Sequence, residues 1–168
     1  MAINNLKLGT AIDAAWQELQ AFLAVVTADQ AAKRDPAGWS VADHVAHLAV
    51  WEDSVTILFQ GGRRHEGLGL EEPVYAAGDY DLMNERIRAR TEGATLQEAM
   101  RSLQGSHARL MAALAGLGEA DLEAKVCEFF PQAPRKDGRS LARIVWDISG
   151  GHFADHLAWM RELVSGAA

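Results

Sequence analysis

The stretch SLARIVWDISGGHFADHLAWMRELV, residues 140–164, decides the fold. Its apolar residues Leu141, Ile144, Val145, Ile148, Trp159 and Leu163 recur at steps compatible with an α-helix that turns one face to a core. The pattern predicts one long helix from Ser140 to Val164. His152 and His156 then stand one turn apart on the same face, inside or beside the apolar stripe. Two neutral imidazoles turned inward leave ring nitrogens in need of partners. A metal ion satisfies an acceptor nitrogen on each ring at once, and hydrogen bonds to carbonyls or to Asp155 satisfy them without one. A lone pair leaves both readings open, and a third imidazole on a facing helix tips the balance to metal.

Working outward, the helical period returns in three long segments. From Thr10 to Val26 it runs through Ile12, Ala15, Trp16, Leu19, Phe22, Leu23 and Val26. Asp35-Pro36-Ala37-Gly38 supplies turn chemistry. Ser40 with Asp43 three residues on is an acidic relative of the capping box, so a second helix is expected from Ser40 to about Phe59, striped by Val41, His44, Val45, Leu48, Trp51, Val55 and Phe59. Thr95 with Glu98 opens another, striped by Leu96, Met100, Leu103, His107, Leu110, Met111 and Leu114. A shorter helical segment is expected over 79–90.

Residues 63–79 show no period and are expected to form a long connection crossing the bundle, near a site. The segment 119–139, with Phe129, Phe130, Pro131, Pro134 and Gly138, is expected to be a loop packed over one end. With no alternating strand pattern, the expected fold class is all-α, a four-helix bundle with long crossing connections, and residues 1–168 form one domain.

The 168 residues carry 16 Lys plus Arg against 23 Asp plus Glu, a net charge of -7 that repels phosphate backbones, so no nucleic-acid partner is expected. No apolar run reaches the roughly 18 to 20 residues of a membrane span, and Met1 to Leu8 lacks the apolar core of a secretory signal. With Cys127 as the one cysteine, these features lead to an expectation of a cytoplasmic protein without a membrane partner.

The third imidazole is offered by the second helix, at His44 or His47, about 60° apart in azimuth. Periodicity alone favours His44, which lies at the stripe centre. Trp39-Ser40-Val41-Ala42-Asp43-His44-Val45-Ala46-His47-Leu48, followed by Trp51-Glu52, resembles the helix-two signature of the DinB/YfiT-like superfamily of four-helix bundles. That resemblance implies His47 as the metal-binding histidine, with His152 and His156 of Gly151-His152-Phe153-Ala154-Asp155-His156-Leu157 as its partners. Asn84-Glu85-Arg86-Ile87 through Ser106-His107, and Arg64-His65-Glu66-Gly67-Leu68-Gly69, resemble the ClbS/DfsB branch of the same superfamily, some members of which lack the second histidine of the final pair.

Three neutral imidazoles suit zinc, nickel or another first-row divalent ion with one or more open positions. Asp155 is expected on the inward side of the last helix, as an orienting partner for a ligating histidine, as a base, or in a structural ion pair. Glu52 is expected to be solvated or to sit behind the ligands, Trp51, Trp146, Trp159 and Phe153 to form core or cleft wall, and His65 and His107 at most to line a pocket. Cys127 reads as a small apolar residue.

The resemblance implies a metal-dependent hydrolase, or a thiol-dependent S-transferase using a low-molecular-weight thiol, acting on a small electrophile. A binding or sequestering protein that uses the same cleft is the alternative, and histidines that merely staple two helices through a metal are a third. A homodimer is expected by analogy with other bundles.

Overall fold

Short polar side chains fix where the main helices begin. The Ser40 hydroxyl accepts from the Asp43 N–H at 3.2 Å while the Asp43 carboxylate accepts from the Ser40 N–H at 2.8 Å. Thr95 and Glu98 repeat the exchange at 3.2 and 2.9 Å. Each box satisfies two backbone donors that a helix start leaves orphaned.

The computed structural model describes residues 5–130 and 137–166. Its helices are α1 (Asn5–Leu23), α2 (Ala28–Ala31), α3 (Val41–Phe59), α4 (Arg64–Leu68), α5 (Glu72–Ala77), α6 (Tyr80–Thr91), α7 (Leu96–Ala115), α8 (Glu119–Glu123), α9 (Val126–Phe129), α10 (Leu141–Ile148) and α11 (Gly150–Ser165). Among the described residues there is no strand beyond two isolated bridges, Arg34 with Ser40 and Lys125 with Ser140, and the fold is all-α. No helix of the described residues is long and apolar enough to cross a membrane.

α3 lies along α7 and under α4, while α1 lies along α11. Nearly all of α3 is buried, and it runs through both parts of the apolar core. Val41, Val45 and Leu48 pack with Leu19, Leu103, Phe153 and Leu163, whereas Trp51 and Val55 pack with Ile12, Met83, Leu110 and Val145. Each fully buried side chain of this size contributes about 1.5–3 kcal/mol, so the central helix is fixed in rotation and height by its neighbours.

Three expectations need correction. The connection over 63–79 contains the short helices α4 and α5, each closed by a glycine in the left-handed region, Gly69 at φ 64° and Gly78 at φ 75°. Five or six residues are too few to display a helical period. The segment 119–139 likewise contains α8 and α9, and Val126 and Cys127 donate backbone hydrogen bonds to Arg139 and Asp137; Pro131 and Pro134 lie outside the described residues.

The third correction is the last helix, which is broken at Ser149. There the backbone turns to φ -124°, ψ -102°, and the buried Ser149 hydroxyl donates to the Val145 carbonyl at 2.6 Å. Gly150 and Gly151 follow because the Trp146 ring lies against them: a Cβ on Gly150 would come within 2.5 Å of Trp146 Cζ3. The break resets the phase of the apolar stripe. Asp155 and Trp159, which an unbroken helix turns inward, are exposed, Trp159 by 51%.

Candidate metal centre

α3 and α11 each present a pair of histidines, His44 and His47 on one, His152 and His156 on the other. The ligand-capable atoms of His47, His152 and His156 all lie within 4.8 Å of one another. Their ring centroids are separated by 5.1 Å (His47 to His152), 4.9 Å (His47 to His156) and 4.6 Å (His152 to His156). His47 and His156 are buried and His152 is half-buried.

Burial pushes all three imidazoles below their ordinary pKa, His152 to about 4, and the neighbouring rings lower His47 and His156 further. All three are therefore neutral near pH 7, the form that ligates a metal. The Nδ1 atom of His47 is buried without a hydrogen-bond partner among the described residues, while the His152 ring also interacts with the Ile148 backbone one turn back. An orphaned buried polar atom costs about 1–3 kcal/mol, a cost that a bound cation can offset by fixing the ring or occupying its lone pair. Three neutral nitrogen donors with no carboxylate among them match the preference of zinc and neighbouring first-row divalent ions. The residues present fit such an ion.

His44, which periodicity placed at the centre, stands at the edge of the cluster. Its Nδ1 lies 2.8 Å from His156 Nδ1, and its Nε2 lies 3.8 Å from Asp35 Oδ2 in the turn before α3. Burial lowers its pKa against the opposing pull of Asp35 and Asp43. The Trp39 ring lies 5.3 Å from His44 and 5.2 Å from His47, closing the site on that side.

The cluster divides a groove. On one side a cavity of about 260 Å³ is lined by Trp51, Arg64, Tyr80, Asn84, Arg139, Ile144, Asp147 and Ile148 together with His47 and His152. On the other, about 350 Å³ is bounded by Asp35, Ala37, Trp39, His44, His156 and Trp159, with His47, Asn84 and His152 common to both. The indole N–H of Trp51 and the Oδ1 of Asn84 are buried without partners among the described residues. Arg139 pairs with Asp137 at 2.6 Å and Asp147 at 2.9 Å, and Arg143 also pairs with Asp147 at 2.7 Å.

Several residues occupy places other than those expected. The Asp155 side chain is exposed and makes no hydrogen bond or ion pair among the described residues, because α11 is rotated away from the phase of α10. Glu52 is fully buried, and its two oxygens are within 2.9 Å of His107 Nδ1 and 3.2 Å of the Ser106 hydroxyl. The His107 ring stacks on Trp16 at 4.1 Å, so this pair belongs to the interior between α3 and α7, outside the groove. His65 bonds the Leu70 carbonyl at 3.1 Å and also lies outside it, and Phe153 is core. Sequence reasoning did not single out Trp39, Arg64, Tyr80, Asn84, Arg139 or Asp147 as wall residues. The aperiodic stretch 63–79 carried the one signal, since a long connection was expected near a site and Arg64 is there.

A family model described as the DinB superfamily matches residues 11–163. No curated protein and no solved structure matches the chain. The match covers α3, all but the last two residues of α11 and the three converging histidines, and the chain belongs to the DinB superfamily.

Proposed function

We propose that this chain is a divalent-metal-dependent enzyme, a hydrolase or a thiol-dependent S-transferase acting on a small electrophilic substrate. The observation that carries the reading is the convergence of His47, His152 and His156 at the waist of a groove large enough for a small molecule. Zinc or nickel suits the donor set, and when bound such an ion supplies Lewis acidity and open positions for an incoming donor. The protein's own part is to hold the three rings neutral, to wall the site with Trp39 and Trp51, and to offer the groove the Trp51 N–H and Asn84 Oδ1. The likeness of Arg64 to Gly69 to the ClbS/DfsB branch supports placing the chain near relatives that detoxify reactive metabolites. A low-molecular-weight thiol as co-substrate, a homodimer and a cytoplasmic location belong to the same reading, by analogy.

A chelator-stripped sample should rebind close to one divalent ion per chain. The loaded protein should turn over a member of an electrophile panel with glutathione, bacillithiol or mycothiol, or an activated ester, and lose that turnover in His152→Ala. Failure to bind any divalent ion sinks the reading.

A second reading, a binding or sequestering protein without turnover, is favoured by the carboxylates. Asp147 is engaged by two arginines, Asp155 is exposed, Glu52 is buried outside the groove, and Asp35, the other carboxylate of the groove wall, accepts from the Trp39 N–H at 2.8 Å and lies against His44. Stoichiometric binding without product release supports it, and repeated turnover excludes it.

A further inference from the structure

Arg64 opens α4 and its guanidinium lines the cavity beside His47 and His152. Its Nε donates to the Ser54 hydroxyl at 3.2 Å, its Cζ lies 5.3 Å from the centre of the Trp51 ring, and it is also hydrogen-bonded with Tyr75. No carboxylate oxygen comes within 4.0 Å of it among the described residues. The other charges around this cavity compensate one another: Arg139 and Arg143 stand against Asp137 and Asp147. Arg64 thus makes no ion pair among the described residues, although its charge also reaches Asp137, which Arg139 already holds, and it sits in a half-buried place.

Two further features show that the position is built. Gly67, one turn on, presses α4 onto α3 so closely that a Cβ there would lie 2.6 Å from Ser54 Cα, which fixes the guanidinium relative to Trp51. Trp51, 6% exposed and lining the same cavity, has an indole N–H with no partner among the described residues. A cation without an ion-pair partner and a buried donor without an acceptor among the described residues, side by side, lack the same thing: an anionic oxygen. Burial lowers the pKa of Arg64, and its charge helps to hold His152 neutral, which places it electrically close to the metal centre.

We propose that Arg64, with the Trp51 N–H, forms an anion subsite that seats a carboxylate of the ligand, so that the groove selects small molecules carrying a carboxylate at one end and a metal-binding donor at the other. The donor end rests on the metal-dependent reading above; the carboxylate end does not.

The test is calorimetric titration of 3-mercaptopropionate and its neutral amide, 3-mercaptopropionamide, into zinc-loaded and metal-free protein, wild type and Arg64→Gln. The wild type should prefer the carboxylate by about tenfold or more in the loaded form. Arg64→Gln should reduce the preference below about twofold with zinc stoichiometry unchanged, and Arg64→Lys should retain part of it. Arg64→Met, which keeps an apolar stem over Trp51, replaces the glutamine variant if that variant does not fold. Equal affinities for the two probes, a preference that survives loss of the charge, or no binding of either probe to either form overturns the subsite. If zinc does not bind, the metal reading fails and the metal-free titration decides alone: the carboxylate preference must still be present in wild type and absent in Arg64→Gln.

Discussion

The Nδ1 of His44 lies 2.8 Å from the Nδ1 of His156, so one ring donates the proton that the other accepts. If His156 donates, its Nε2 lone pair is free for a metal, and the remaining proton of His44 sits on Nε2, facing Asp35 at 3.8 Å. His44 would then act on a bound ion through His156 by setting its tautomer. His44→Ala is expected to weaken zinc affinity about 10–100-fold while leaving one site per chain, and Asp35→Asn to weaken it less. Competition against a chelator of known affinity measures both, and an unchanged constant in His44→Ala rejects the arrangement.

The cluster makes the metal-free protein acid-sensitive. The folded state holds His152 at about 4 and lowers His47 and His156 in the same direction, against about 6.5 when unfolded. Between those values the unfolded chain binds more protons than the folded one, so stability is full above pH 6.5 and falls as pH drops toward 4. The loss assigned to His152 is at most about 3 kcal/mol. Glu52, its carboxyl pushed up by burial, works in the opposite sense above its ordinary value. Urea denaturation of metal-free protein at pH 7 and pH 5 should show the decline, and a smaller decline in His152→Ala.

Glu52 and His107 should behave as a structural pair. Truncating one leaves the other buried without its partner, so His107→Ala is expected to cost about 1–3 kcal/mol. Glu52→Gln, which keeps a hydrogen-bonding side chain of the same shape, should cost less. Zinc stoichiometry should be unchanged in both, as measured by elemental analysis on the folded fraction; a lost ion would tie this pair to the metal centre.

Two glycines should respond oppositely to alanine. At Gly67 the new methyl meets Ser54 Cα at 2.6 Å and the Asp53 carbonyl at 3.0 Å, backbone atoms that cannot yield without moving α4, so a loss of about 1–3 kcal/mol and a changed Trp51 fluorescence are expected. At Gly9, inside α1, nothing lies within 4 Å, and the gain in helix propensity should stabilise by about 0.5–1 kcal/mol. Thermal melts of the two variants check the contrast.

What the sequence disclosed was local or motif-borne. The starts of α3 and α7 are written in pairs three residues apart, Ser40 with Asp43 and Thr95 with Glu98, because the groups they satisfy lie within the same turn. His47, His152 and His156 were legible as an ordered set by resemblance, whereas periodicity pointed to His44, since both histidines of α3 are buried and a stripe cannot rank them. Arg64, Asn84 and Trp39 were hidden because only the packing of α4, α6 and the turn before α3 brings them to one groove. The break at Ser149 was hidden for the same reason: it depends on where the Trp146 ring lands.

That interruption gives the two halves of the closing segment different tolerances. α10 upstream of it is an apolar plug whose Leu141, Ile144, Val145 and Ile148 can be exchanged among residues of similar bulk, whereas α11 must keep its angular setting or its imidazoles swing off target. Inserting a single residue just after Ser149 would rotate His152 and His156 by about 100° and should abolish ion binding, while the plug stays seated.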